Sequence, residues 1–185
     1  MDIFSAFGLS ASAGLNAYIP LLVVAILGKF TNLITLKTPW NTLESWWVIG
    51  VLIVLSVVEF FADKVPAINH VNDIIQTMIR PIAGAIVFAA STHIITDVHP
   101  VLAMIMGLLV AGAVHAIKSL AVRPAVTATT GGAGNVPVSI AEDVLSTIIS
   151  IIAAITPVLI AVILVVGGAF FVLWIWRRTN RERAK

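Results

Sequence analysis

From Val144 to Trp176 the chain carries no charged side chain. Read as one helix, residues 139–176 would be about 57 Å long, nearly twice the roughly 30 Å of hydrocarbon in a bilayer. A single straight crossing is therefore excluded. Pro157, preceded by Thr156, sits in the middle of the run, where the missing N–H and the ring clash break a helix. The expectation is a tight helical hairpin, with spans at 139–156 and 158–176. At the threshold of the run, "GGAGNVPVSIAEDVLS" places a glycine turn, a proline and two adjacent acids, Glu142 and Asp143. Either the acids sit in a water-wet mouth, or something binds them.

Composition agrees with a lipid environment. Of the 185 residues 59% are hydrophobic and 11% charged, with a mean hydropathy of +1.07, against roughly 25% charged in soluble domains. This reads as an all-α, polytopic membrane bundle: a single transmembrane domain over 1–176 and a basic cytoplasmic tail over 177–185. The absence of cysteine rules out disulfides, thiolate metal sites and cysteine nucleophiles. The amino end, "MDIFSAFGLSASAG", has Asp2 and no basic n-region, so the first segment is expected to stay in the mature protein.

Further apolar segments at 5–28, 46–63, 81–97 and 100–118 bring the expected number of spans to six. Basic residues test that number, because cytoplasmic loops hold the Lys and Arg. With six spans and both termini inside, Lys64, Arg80, Lys118, Arg123 and five tail residues fall inside and only Lys29 and Lys37 outside, nine against two. Five spans with the tail inside divide the same residues seven against four. The localisation expected is a bacterial cytoplasmic membrane with both termini cytoplasmic. Trp40, Trp46 and Trp47 on one side and Trp174 and Trp176 on the other supply interfacial anchors.

Between spans two and three, "INHVNDIIQTMIR" has a helical amphipathic period. It predicts an interfacial helix over 67–80. The stretch "SLAVRPAVTATTGGAGNVP" reads as a loop, flexible or folded into a cavity.

Three polar features of these spans fall in the same, inner membrane half. Glu59 and Asp63, four apart, share a helix face. Glu142 and Asp143 start span five, where a capping role in the first turn competes with a functional one; about 100° separates them, so one is expected to face the bundle and the other the cap or interface. Asn16 lies in "SASAGLNAYIP", where Pro20 frees its carbonyl. Carboxylates in low dielectric must be paired, protonated or ligated, and Lys64, Arg80, Lys118 and Arg123 are the available cations. Asn16, Glu59, Asp63, Asn135, Glu142 and Asp143 are thus the candidate substrate or ion site. His70, Asp73 and Arg80 form a secondary polar set, suited to a lipid headgroup. His93, Asp97 and His99 have metal-ligand spacing, but on the outer side and without an HExxH-like pairing, so no metal site is expected. His115 reads as a packed or proton-relay histidine. No GxSxG, P-loop or dinucleotide fingerprint is present, so neither catalytic residues nor a cofactor is expected, and nothing suggests nucleic acid.

Taken together, "SASAGLNAYIPLL", "FADKVPAINHVND" with "IRPIAGAI", and "TATTGGAGNVPVSIAED" resemble an uncharacterised family of small polytopic membrane proteins, a domain of unknown function found in bacteria with plant relatives. The resemblance spans most of the chain and implies that Asn16, Asp63, His70, Asp73, Arg80, Asn135, Glu142 and Asp143 belong to a recurring pattern. It implies no activity. From the residues themselves the expected role is transport or permeation of a small solute or ion, with membrane lipids as surroundings. A lipid-modifying enzyme and a scaffold without substrate are the alternatives. Gly8 with Ser12, Gly107 with Ala111, and Gly167 with Gly168 offer small faces for packing within the chain or in a homo-oligomer.

Overall fold

A computed structural model describes residues 3–64, 66–92 and 99–183, without the side chains of 66–71, 164, 175 and 178–183. The described residues form the helices α1 (Ile3–Leu15), α2 (Tyr18–Phe30), α3 (Trp46–Ala62), α4 (Pro66–Thr92), α5 (Pro100–Ile117), α6 (Arg123–Thr130), α7 (Asn135–Ile155) and α8 (Pro157–Arg183). The all-α polytopic bundle expected from the sequence is the observed class. Asn72–Thr92, Pro100–Thr130, Asn135–Ile155 and Pro157–Trp174 are each long and apolar enough to cross a membrane.

The first apolar stretch, expected to cross as 5–28, is built differently. It is broken at Asn16 and Ala17 into two 13-residue helices, each about 20 Å long. Their direction follows from side-chain contacts. Phe7 packs edge-on against Phe88 at 5.2 Å and Ser10 Oγ donates to the Gly84 carbonyl, so the amino end of α1 lies beside the carboxyl end of α4. Beyond α2, the 3₁₀ turn Trp40–Glu44 is tied back to that helix by Lys29 Nζ, which donates to the Glu44 carbonyl at 2.8 Å. Trp40 packs on Ala6, Phe88, Ala89 and Ala103, the same end of the bundle. A straight helix would separate residues 6 and 30 by about 36 Å. The contacts close only if α2 folds back, so α1 and α2 make a re-entrant hairpin with both open ends on one face, here called the Trp face, and the tip at Asn16–Ala17 inside.

The break has a local cause. Asn16 Oδ1 accepts from the backbone N–H groups of Tyr18 and Ile19, both at 3.1 Å. That satisfies two donors that the start of α2 would otherwise leave open.

The expected interfacial helix at 67–80 and the expected span at 81–97, as far as Thr92, are one continuous helix, α4, with Pro81 inside it, and 93–97 lie outside the described residues. Its amphipathic stripe is turned the other way from a surface helix. Ile74, Ile75 and Met78 are exposed, whereas Gln76 and Arg80 are buried. The polar face turns inward because an ionic cluster is there to receive it. The expected loop after span four is also helix. α5 continues through a π-helical segment, Lys118–Val122, into α6. The chain turns only at Gly131 and Gly132, whose φ of 60° and 92° suits glycine.

Between α7 and α8 the break falls at Thr156 as expected, but the two arms do not pack as a tight hairpin. α8 meets the bundle at Ile160, beside Gly8 and Ala153, and every described side chain from Val162 onward is exposed. α1, α4 and α5 are the opposite case. A Cβ on Gly107 would overlap the Gly84 carbonyl and the Phe88 Cβ, and one on Gly14 would overlap the Ala111 carbonyl and Val114. Gly107→Val should therefore lower unfolding stability in detergent by about 1–3 kcal/mol through overpacking. Gly50→Ala, with nothing near its Cβ position, should not lower the unfolding midpoint, since Ala is the better helix former.

Candidate functional site

The hairpin tip ends in a cluster of buried charges drawn from α3, α4, α5, the π segment, α6 and α7. The two helix ends that face each other across the break are held by side chains of opposite sign. Lys118 Nζ donates to the Leu15 carbonyl, at the carboxyl end of α1, at 3.1 Å. Glu59 Oε2 accepts the Ala17 N–H, at the amino end of α2, at 3.2 Å. Each pairing follows the partial charge of the helix end it meets. A third tie comes from α7, where Asp143 Oδ1 accepts from Asn16 Nδ2 at 2.9 Å.

Behind these ties the charges pair with one another. Glu59 Oε1 accepts from Arg80 Nη2 at 2.9 Å and Nε at 3.3 Å, with both side chains almost fully enclosed. Asp63 Oδ2 is shared by Arg80, Arg123 and Lys118 at 3.5, 3.3 and 3.7 Å, and Oδ1 accepts from Asn72 at 2.6 Å. Glu142 Oε2 meets Lys118 at 2.8 Å and Arg123 at 3.2 Å. Asp143 Oδ2 meets Lys64 at 2.9 Å, and that ammonium also lies over the Phe60 ring at 3.3 Å. His115 completes the set, with Nδ1 3.2 Å from Arg80 Nη1 and Nε2 3.1 Å from Thr77 Oγ1. Arginine can only donate, so Nδ1 accepts and Nε2 carries the hydrogen.

The π segment explains how Lys118 and Arg123 reach one carboxylate. In an α-helix, residues five apart point about 140° away from each other. Here the Arg123 N–H bonds to the Lys118 carbonyl, and this i→i+5 turn stacks the two side chains on one side.

Below the cluster, on the face opposite the Trp face, lies an open cavity of about 720 Å³ whose lining includes Asp63, Lys64, Asp73, Arg123, Thr127 and Asn135. On the other side of the tip the polar character continues as a hydroxyl seam between α1 and α7. Ser12 Oγ lies 2.8 Å from Ser146 Oγ and 2.7 Å from Ser150 Oγ.

Of the candidate residues, Asn16, Glu59, Asp63, Glu142 and Asp143 meet in this cluster. Asn135 does not. It opens α7 on the cavity wall and its amide donates to Thr127 Oγ1 at 2.9 Å. Because α7 begins at Asn135, Glu142 and Asp143 lie two turns inside the helix, so neither caps it. Nor do they divide between bundle and interface: both face inward, on a broad stripe with Ser139, Ser146 and Ser150. Of the secondary set, Asp73 and Arg80 do not pair with each other. Asp73 faces Arg123 at 3.7 Å, Arg80 is committed to Glu59, and the His70 side chain is outside the described residues. An enclosed Arg80 is not open to a lipid headgroup. His93 and Asp97 are likewise outside the described residues, and His99 accepts from the Val101 N–H at the start of α5. The reading from sequence left Lys64, Lys118, Arg123 and His115 out of the site. Their position at the inner helix ends marked the three cations as possible partners, but the π turn that aims two of them has no sequence signature.

Four carboxylates, Glu59, Asp63, Glu142 and Asp143, thus face four cations, Lys64, Arg80, Lys118 and Arg123. Such burial is costly in desolvation and weak as a source of stability. Ionisable groups held inside a membrane bundle mark a working site by default.

An apolar helical bundle around an ionic centre defines an integral membrane protein. The chain belongs to the family described as "Domain of unknown function (DUF4126)", which matches residues 3–178. No curated protein and no solved structure matches it.

Proposed function

We propose that the protein moves a small polar solute or ion across a membrane, with the re-entrant tip as the gate. One observation carries this reading: a broken helix pair whose facing ends are clasped by charged side chains at the closed end of an open cavity. Discontinuous helices present backbone charge at mid-depth in this way in secondary transporters, and irregular backbone is tolerated at that depth only where protein or a water-filled cavity surrounds it.

In the state described here every tie to the tip is made, so the path from the cavity stops at Asn16 and Ala17. A solute that competes for Lys64 or Arg123, both on the cavity wall, loosens the carboxylates that those cations hold. Asp143 then releases Asn16, and the hydroxyls of Ser12, Ser146 and Ser150 offer the continuing polar route. The nine-to-two distribution of basic residues supports a cytoplasmic cavity face in a bacterial inner membrane.

Flux into proteoliposomes tests this. Asp143→Asn keeps the hydrogen bond to Asn16, and its freed partner Lys64 is partly exposed and can turn to the cavity water. It should therefore stay folded while the weakened tie to Asn16 lets the gate open more readily and flux rises roughly tenfold, the effect of losing about 1.4 kcal/mol of charge-assisted interaction. Wild-type vesicles that pass alkali cations, chloride, phosphate and amino acids no faster than protein-free vesicles would overturn the reading.

A further inference from the structure

Two buried acceptor oxygens one turn apart on α4, Asp73 Oδ1 and Gln76 Oε1, have no donor among the described residues. Residues three apart are neighbours on a helix face. Together with Arg80 they make the stripe that runs from the cavity into the cluster. Asp73 lines the cavity, while the Gln76 side chain is 2% exposed. Asp73 is also the odd charge: with it, five carboxylates face four cations among the described residues, and its one ionic contact among them, Arg123 at 3.7 Å, is to Oδ2.

We propose that Asp73 and Gln76 bind one small monovalent cation of the alkali-metal class at the edge of the cavity. The proposal rests on the transport reading and assigns its coupling ion. Two oxygens, one anionic and one neutral, with cavity water completing the shell, suit a hard cation. A single positive charge balances the fifth carboxylate. A divalent ion would overcompensate it beside Arg123 and Lys64, the two cations that share the cavity wall. Gln76 also connects the site to the gate through Arg80, one turn further along α4, whose partner Glu59 accepts the Ala17 N–H at the tip.

The test is thermal unfolding of the purified protein in detergent, with sodium or potassium chloride replacing choline chloride at constant ionic strength. The midpoint should rise saturably, by about 5 °C or more at a hundredfold excess over half-saturation. Asp73→Asn, which keeps shape and removes one charge, should flatten the response; Gln76→Leu, which removes the second ligand, should shift half-saturation at least tenfold (about 1.4 kcal/mol). An equal midpoint in choline and alkali salts overturns the proposal, as does an unchanged response in both variants. A midpoint that follows pH but not alkali salt assigns a proton instead and also overturns it. The readout is independent of flux: saturable stabilisation without flux removes the transport reading and keeps the site, whereas flux without stabilisation does the reverse.

Discussion

Glu59→Gln is expected to destabilise the purified protein by about 3–5 kcal/mol, the usual cost of stranding one member of a buried ion pair. The sequence alone suggests a milder outcome, since the neutral isostere keeps the shape of the side chain. The pairing reverses that expectation. Arg80 is fully enclosed and takes its two shortest carboxylate contacts from Glu59. Its next carboxylate, Asp63, is 3.5 Å away and already shared with Lys118 and Arg123. Removing the charge from Glu59 therefore leaves a guanidinium in low dielectric with a fraction of one acid. The Ala17 N–H at the tip loses its charged acceptor in the same step. The double variant Glu59→Gln/Arg80→Gln should recover part of the loss, because the stranded charge is gone. Denaturant unfolding of the wild type, both single variants and the double variant gives the coupling directly. A Glu59→Gln protein as stable as the wild type would mean that Arg80 is compensated elsewhere.

A second expectation is all-or-none. If the carboxyl tail is cytoplasmic and α8 crosses, the amino terminus is external, because the re-entrant hairpin returns to the face from which it started. Six straight crossings put both termini inside. A fluorescent protein joined ahead of Met1 should stay dark in the oxidising exterior, and a phosphatase joined there should be active. The same pair fused after Lys185 should behave in the opposite way. A fluorescent amino-terminal fusion would show that 3–30 crosses.

The distribution of basic residues could not have distinguished these two arrangements. No Lys or Arg precedes Lys29, so moving the amino terminus across the membrane leaves nine against two unchanged. The helical class, the break at Thr156 and the inward position of Asn16, Glu59, Asp63 and one member of the acid pair were legible, because hydropathy, proline and the cost of a lone carboxylate are local properties; that both acids turn inward was not. The fold-back at Asn16 was not. It depends on a side chain capping the helix behind it, and on Trp40 finding Ala6 and Phe88 from a distant part of the chain. The amphipathic period of α4 is plain in the sequence, yet the period by itself suits a polar face turned to water. Periodicity gives a face but not what covers it, and here Glu59, Asp63 and His115 cover it.

The ties at the tip also set an order of assembly. Glu59 is only 42 residues from Ala17, so the first clasp can form as soon as α3 has emerged. The bond from Lys118 to Leu15 waits for 103 residues and that from Asp143 to Asn16 for 127. A nascent chain thus carries a polar hairpin tip through most of its synthesis before the last partner arrives. During that interval the tip must be kept in water, in the insertion machinery or against a chaperone, since open backbone groups are not tolerated in lipid. Chains stalled before α7 should be the ones that quality control removes.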